Sequence, residues 1–213
     1  LGDRMMQASI ALILATAPAK DLPRKFDLIL SSGFLCFSAH AGFARALDER
    51  ALRADALVGT SSGALAAAMF AAGYSTEDVA NQLSQQRPIS LTRPAVPWRG
   101  LASTRLLESR MRQLLPPTFE ELPRPLGLGV YHSCADGEKR PLLLTAGDLP
   151  GAVAASCAVP KIFAPVRVGT KTYADGGAID RTGIAAWRRW RPGRHAIVHL
   201  VSNLPPPELG PRD

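Results

Sequence analysis

Ala56-Leu57-Val58-Gly59-Thr60-Ser61-Ser62-Gly63-Ala64-Leu65 is a short apolar run that breaks at Gly-Thr-Ser-Ser-Gly and leads straight into the alanine-rich stretch ending at Ala72. The pattern predicts a strand, a sharp turn and a buried helix, the setting of a nucleophile elbow. A serine on such a turn sits in a strained backbone conformation and needs small residues two positions to either side, which Gly59 and Gly63 supply. The geometry would expose the Ser61 hydroxyl and leave the Ser62 N–H, at the start of the new helix, free to face an oxyanion. Taken alone, the pentapeptide also fits an ordinary structural turn.

Upstream, Phe26 to Ser31 reads as a first strand, followed by the turn Ser31-Ser32-Gly33 and a helix over Ala39 to Arg50. Strand–helix–strand–helix is the signature of a parallel sheet with crossover helices, hence an α/β chain. Ser75-Thr76-Glu77-Asp78 reads as a helix cap, and Pro88 to Gly100 as an irregular loop. A helix is expected from about Thr104 to Leu115. Strand-like runs at Leu126–Cys134 and Arg140–Thr145 flank Asp136-Gly137 as a hairpin. A small-residue helix over Leu149–Cys157, a second hairpin around Gly169-Thr170 and a last buried strand over Ala196–Val201 complete the sequence of elements.

The length of 213 residues and 46% hydrophobic content suit one domain, placed here at 25–204, with 1–24 as an extension outside the fold and 205–213 as a disordered tail. A net charge of +7 favours an anionic partner. The basic residues are scattered and no nucleic-acid signature appears, which argues against nucleic acid and for a lipid surface. Arg181, Arg188, Arg189, Arg191 and Arg194, interleaved with Trp187 and Trp190, suit peripheral contact with an anionic bilayer. The other reading is a solvated helix face with its tryptophans turned inward. Cys36, Cys134 and Cys157 form neither a disulfide framework nor a metal motif, so a reducing, cytoplasmic setting without metal or cofactor is expected. The apolar stretch Ile10–Ala17 before Ala-Pro-Ala leaves export open.

A serine nucleophile needs a base, and Asp175 stands out because it follows a strand-like run and precedes Gly176-Gly177. Three ordered motifs now share one resemblance. Phe26–Leu47 with its serine–glycine turn, Gly59–Tyr74 with Gly-Thr-Ser-Ser-Gly, and Ala152–Gly177 with Ala-Ser-Cys-Ala-Val-Pro and Asp-Gly-Gly together resemble the patatin-like phospholipases. The resemblance implies a three-layer α/β/α fold with a mostly parallel sheet and a lipid acyl hydrolase, phospholipase A-like or a carboxylesterase, with a lipid ester as substrate. It implies a Ser–Asp dyad of Ser61 and Asp175, with backbone N–H groups near Gly33, Phe34 and Ser62 holding the oxyanion. The chain departs from the family in that loop: Ser32-Gly33-Phe34-Leu35-Cys36-Phe37 keeps only one glycine of the usual run and lacks its cation. Two alternatives follow, a weak or inactive lipid- or protein-binding relative, and a Ser61–Asp175–His199 triad of the α/β-hydrolase kind. His40 and His199 are expected to be core residues.

Overall fold

In the computed structural model, residues 25–33, 36–84, 93–94, 102–134 and 137–201 are described. The expected extension and tail, Phe34, and the Asp136 of the hairpin lie outside the described residues.

The strands β1 (Asp27–Leu30), β2 (Ala56–Thr60), β5 (Leu126–Ser133) and β9 (Ala196–His199) form the parallel centre of a seven-stranded sheet in the order β9-β1-β2-β5. Parallel strands need helical crossovers, which cover both faces and make such strands read as unbroken apolar runs. Every residue of β1 and β2 is accordingly buried. Their side chains alternate between two cores. Leu28, Leu30 and Leu57 face the larger core, whereas Ile29 and Val58 face a smaller one around Trp187.

The larger core is closed by α1 (Phe37–Asp48), α2 (Ser62–Ala71), α3 (Thr76–Ser84), α4 (Arg105–Leu114) and α5 (Leu149–Ser156). Helix α2 is apolar all round, as a helix enclosed on every side should be, and Ala66 to Ala68 and Met69 have no exposure. Between α2 and α3 the cap forms as expected: the Asp78 N–H donates to Ser75 Oγ at 3.0 Å while the Ser75 N–H reaches back to the Asp78 carboxylate at 3.3 Å. Of the stretch Pro88 to Gly100, expected to be an irregular loop, all but Arg93 and Pro94 lies outside the described residues; these two form β3 (Arg93–Pro94), which pairs with β4 (Ala102–Ser103) beyond the stretch.

Antiparallel β6 (Lys139–Leu144), β7 (Val166–Val168) and β8 (Lys171–Asp175) finish the sheet beside β5, giving the mostly parallel α/β/α architecture expected. The opposite face carries α6 (Ile184–Trp190), which turns the tryptophans inward. The Trp187 indole N–H donates to Asp27 Oδ2 at 2.9 Å, and Arg191 Nε donates to the same oxygen at 2.8 Å. A wholly buried carboxylate requires such partners. Arg188 and Arg189 remain exposed on the outer side.

Candidate active site

Strand β2 stops at Thr60, and Ser61 takes φ 56° and ψ −118° before α2 begins. This is a left-handed conformation that a side chain tolerates only when its surroundings hold it there. The Ser61 carbonyl accepts from the Ala64 and Leu65 N–H groups at 2.9 and 3.3 Å, which ties the turn to the first helical residues. A Cβ on Gly59 would lie 2.6 Å from the Gly63 carbonyl carbon, and one on Gly63 would lie 2.8 Å from the Ser31 carbonyl oxygen. Both spacings are too short for any side chain, so the two glycines are required by close approach. Ser61 itself is half-buried, with its hydroxyl on the elbow.

Asp175 reaches this turn through the pairing of β5. One edge of β5 is taken by β6 from Leu128 to Ser133. The other edge carries β2 as far as Thr60 opposite Gly129, then β8 from Asp175 opposite Val130. The end of one strand and the end of another therefore meet head to head on consecutive residues of a third. Gly176 permits the junction, since a Cβ there would sit 2.7 Å from the Gly129 carbonyl.

The Asp175 carboxyl, 3% exposed, accepts the Gly177 N–H at 2.7 Å and has the Ser61 hydroxyl near enough to favour its charged form. Burial raises its pKa from 3.8 to about 6, and these two groups only partly offset that rise. A carboxylate with a pKa near neutrality is a far better proton acceptor than one in water. Its charge is felt nearby: burial first, and Asp175 second, push the Cys157 thiol well above its ordinary range and raise Tyr131.

Of the expected oxyanion donors, Ser62 begins α2, where the first N–H groups have no partner within the helix. The Gly33 N–H is not open: it donates to Ser62 Oγ at 3.1 Å. Arg181 latches the same loop, donating to the Ser32 carbonyl at 2.9 Å and to the Val201 carbonyl at 2.5 Å. Its charge also acts on Cys36 at the start of α1. A cation thus stands beside this loop although the loop itself carries none.

The histidines form a separate pair. His40 Nδ1 lies 2.8 Å from His199 Nδ1, and His40 Nε2 lies 2.9 Å from the Ser31 carbonyl. Since a carbonyl only accepts, His40 donates through Nε2 and accepts through Nδ1, and His199 carries its proton on Nδ1. Phe43 stacks on His199 with ring centroids 4.3 Å apart. Burial lowers His40 to about 3 and His199 to about 4, so both are neutral core groups. His199 Nδ1 is thereby committed to His40. Among the described residues, no group of His, Cys, Asp and Glu is arranged to hold a metal ion, and no helix is long and apolar enough to cross a membrane.

Sequence reasoning gives Ser156 no role, and it groups Arg181 with the arginines of a bilayer surface rather than with the Ser32 and Val201 carbonyls that it holds. Ser156 Oγ accepts the Ser61 N–H at 3.0 Å and donates to the Gly129 carbonyl at 2.7 Å. The available signal is a serine at the end of an otherwise apolar helix, within Ala-Ser-Cys-Ala-Val-Pro. For Arg181, lying among other arginines, no local pattern distinguishes it.

Comparison with known proteins agrees with this architecture. The patatin-like phospholipase model matches residues 28–186. The chain is 29% identical over 187 residues to an uncharacterized NTE family protein of Mycobacterium tuberculosis, covering 86% of this chain and 50% of that protein. It is 27% identical to the uncharacterized protein YqhO of Bacillus subtilis, covering 72% of this chain and 64% of that one. The chain thus spans about half the length of the mycobacterial relative. VipD from Legionella pneumophila shares the fold with a TM-score of 0.56 at 18% identity, over 74% of this chain and 47% of VipD.

Proposed function

Because this chain belongs to the patatin-like phospholipase family, we propose that it hydrolyses fatty acyl esters of lipids with Ser61 as nucleophile and Asp175 as general base. The observation that supports the reading is the placement of Ser61, on a strained turn at the end of β2, against the end of β8, where the buried Asp175 carboxyl has a pKa of about 6. Ser61 Oγ attacks the ester carbonyl carbon as its proton passes to Asp175. The carbonyl oxygen becomes an oxyanion, which the Ser62 N–H and the positive end of α2 stabilise. Collapse expels the alcohol, which takes the proton back from Asp175 and leaves an acyl group on Ser61. Asp175 then accepts a proton from water as that water attacks the acyl carbonyl, and cleavage of the bond to Ser61 Oγ releases the fatty acid while Oγ takes the proton back from Asp175.

The Gly33 N–H joins as a second donor once the Ser62 hydroxyl releases it. Fatty acyl esters, in phospholipids or simpler esters, are the expected substrates. The exposed arginines of α6 bring the protein to anionic lipid surfaces by charge, with Trp187 serving the core. A fluorophosphonate probe tests the assignment: peptide mapping should find the adduct on Ser61, with labelling abolished in Ser61→Ala. An adduct on Ser62, or none on folded protein, would overturn it.

A further inference from the structure

The last rung between β2 and β5 is broken by a side chain. Leu57 donates its N–H to the Pro125 carbonyl, and in a parallel ladder such rungs recur every second residue. Counting on along both strands places the Ser61 N–H opposite the Gly129 carbonyl. Those two groups are instead joined through Ser156 Oγ, which accepts from the first at 3.0 Å and donates to the second at 2.7 Å. Ser156 has no solvent exposure, so no water competes for either bond.

The residues after Ser156 continue the arrangement. The Cys157 thiol donates to the Ser61 carbonyl at 3.4 Å, and the Ala158 carbonyl accepts the Asp175 N–H at 3.0 Å. One short segment at the end of α5 therefore grips the backbone of Ser61 on two sides and that of Asp175 on a third. We propose that Ser156 is a positioning residue whose hydroxyl, wedged into the β2–β5 rung, holds Ser61 away from β5 so that Asp175 fits against it at Val130. With direct ladder bonding, Ser61 would be drawn onto the edge of β5 next to the position that Asp175 occupies. The wedge also satisfies the two backbone groups that the elbow strands.

This inference rests on the Ser61–Asp175 reading for its kinetic consequence, and on hydrogen bonding alone for its structural one. Removing the hydroxyl lets the rung close, which draws Ser61 toward β5, or leaves both groups unpaired, which removes the restraint that holds Ser61 in place. A displacement of about 1 Å at a reacting group costs on the order of a hundredfold in rate. Ser156→Ala should therefore lower kcat on p-nitrophenyl butyrate by about a hundredfold with KM within about threefold, at a temperature where circular dichroism shows native protein. Ser156→Thr, which keeps the hydroxyl, should recover at least about a tenth of wild-type kcat. A folded Ser156→Ala protein with kcat within about twofold of wild type would overturn the proposal.

A second measurement needs neither activity nor a variant. By NMR hydrogen exchange, the Ser61 amide of the wild-type chain should exchange at least about a hundredfold more slowly than a free amide. Exchange at the free rate would overturn the wedge even if the enzyme is active. Should the wild type neither hydrolyse ester nor take the fluorophosphonate, the hydrolase reading fails, and a protected Ser61 amide would still support the structural half of the proposal.

Discussion

Asp175→Asn separates what a buried carboxylate does for chemistry from what it costs the fold. Burial lifts the pKa of Asp175 from 3.8 to about 6, and at 1.36 kcal/mol per pH unit that rise amounts to roughly 3 kcal/mol. The sign follows from proton counting. The native state binds the Asp175 proton more tightly than the unfolded chain, so its contribution to stability is complete below 3.8 and is lost as pH rises through about 6. At neutral pH the fold therefore carries an ionised group at a cost of roughly 3 kcal/mol. Asparagine keeps the size and still presents an oxygen to the Gly177 N–H, but has no charge to bury. Asp175→Asn should gain about 1–3 kcal/mol in urea unfolding at about pH 7 and gain nothing below about pH 4. It should also lose about two to four powers of ten in kcat, because amide oxygen is no base. In the wild type, kcat/KM should rise about tenfold per pH unit on the acid side and level off above about pH 6, where Asp175 is ionised. An asparagine variant that is less stable than wild type at neutral pH and still hydrolyses ester within about tenfold would refute both halves of this reasoning.

The histidine pair makes a contrasting prediction, since both pKa values fall on folding, from 6.5 to about 3 and about 4. The unfolded chain then takes up protons first, and stability should decline in acid titrations as pH drops below 6.5. His199→Ala should lower stability by about 2–4 kcal/mol through the cavity and the orphaned His40 nitrogen, yet keep ester hydrolysis within about tenfold wherever it folds. A folded His199→Ala protein as inactive as Ser61→Ala would refute the dyad. Two glycines provide a packing test by thermal melting. Gly63→Ala would drive a methyl to within 2.8 Å of the Ser31 carbonyl oxygen and should cost more than about 3 kcal/mol, whereas Gly42→Ala, with open space around it on α1, should gain about 0.5–1 kcal/mol.

Much of this fold is legible in the chain because its parallel centre writes plainly in sequence. Asp27–Leu30 and Ala56–Thr60 are buried on both faces, so each appears as an apolar run between turn signals. The Ser75 cap is legible because both partners lie within one turn. What resists reading is whatever depends on tertiary partners. Ile184–Trp190 carries arginines and tryptophans in close succession, and only the Asp27 carboxylate beneath it decides that Trp187 points inward. The ribbon of Arg93–Pro94 with Ala102–Ser103 is too short for any periodicity to register.

The candidate site divides along the same line. The elbow is local: its glycines are demanded by atoms a few residues away, or by the neighbouring end of β1, so the pentapeptide carries the message. The meeting of Ser61 with Asp175 is not local, because it requires β5 to change partners between Gly129 and Val130 along one edge. No pattern within β5 announces the change. Glycine at 129 leaves space at the crossing, where a Cβ would collide with the Thr60 hydroxyl, but the glycine does not say which strand arrives next. Ser156 supplies what the exchange needs, since a β2 that kept its last direct rung would hold Ser61 on the ladder beside the place Asp175 takes. A buried serine closing an alanine-rich helix is thus the sequence's trace of the strand exchange, and its meaning appears only once both strands are laid against β5.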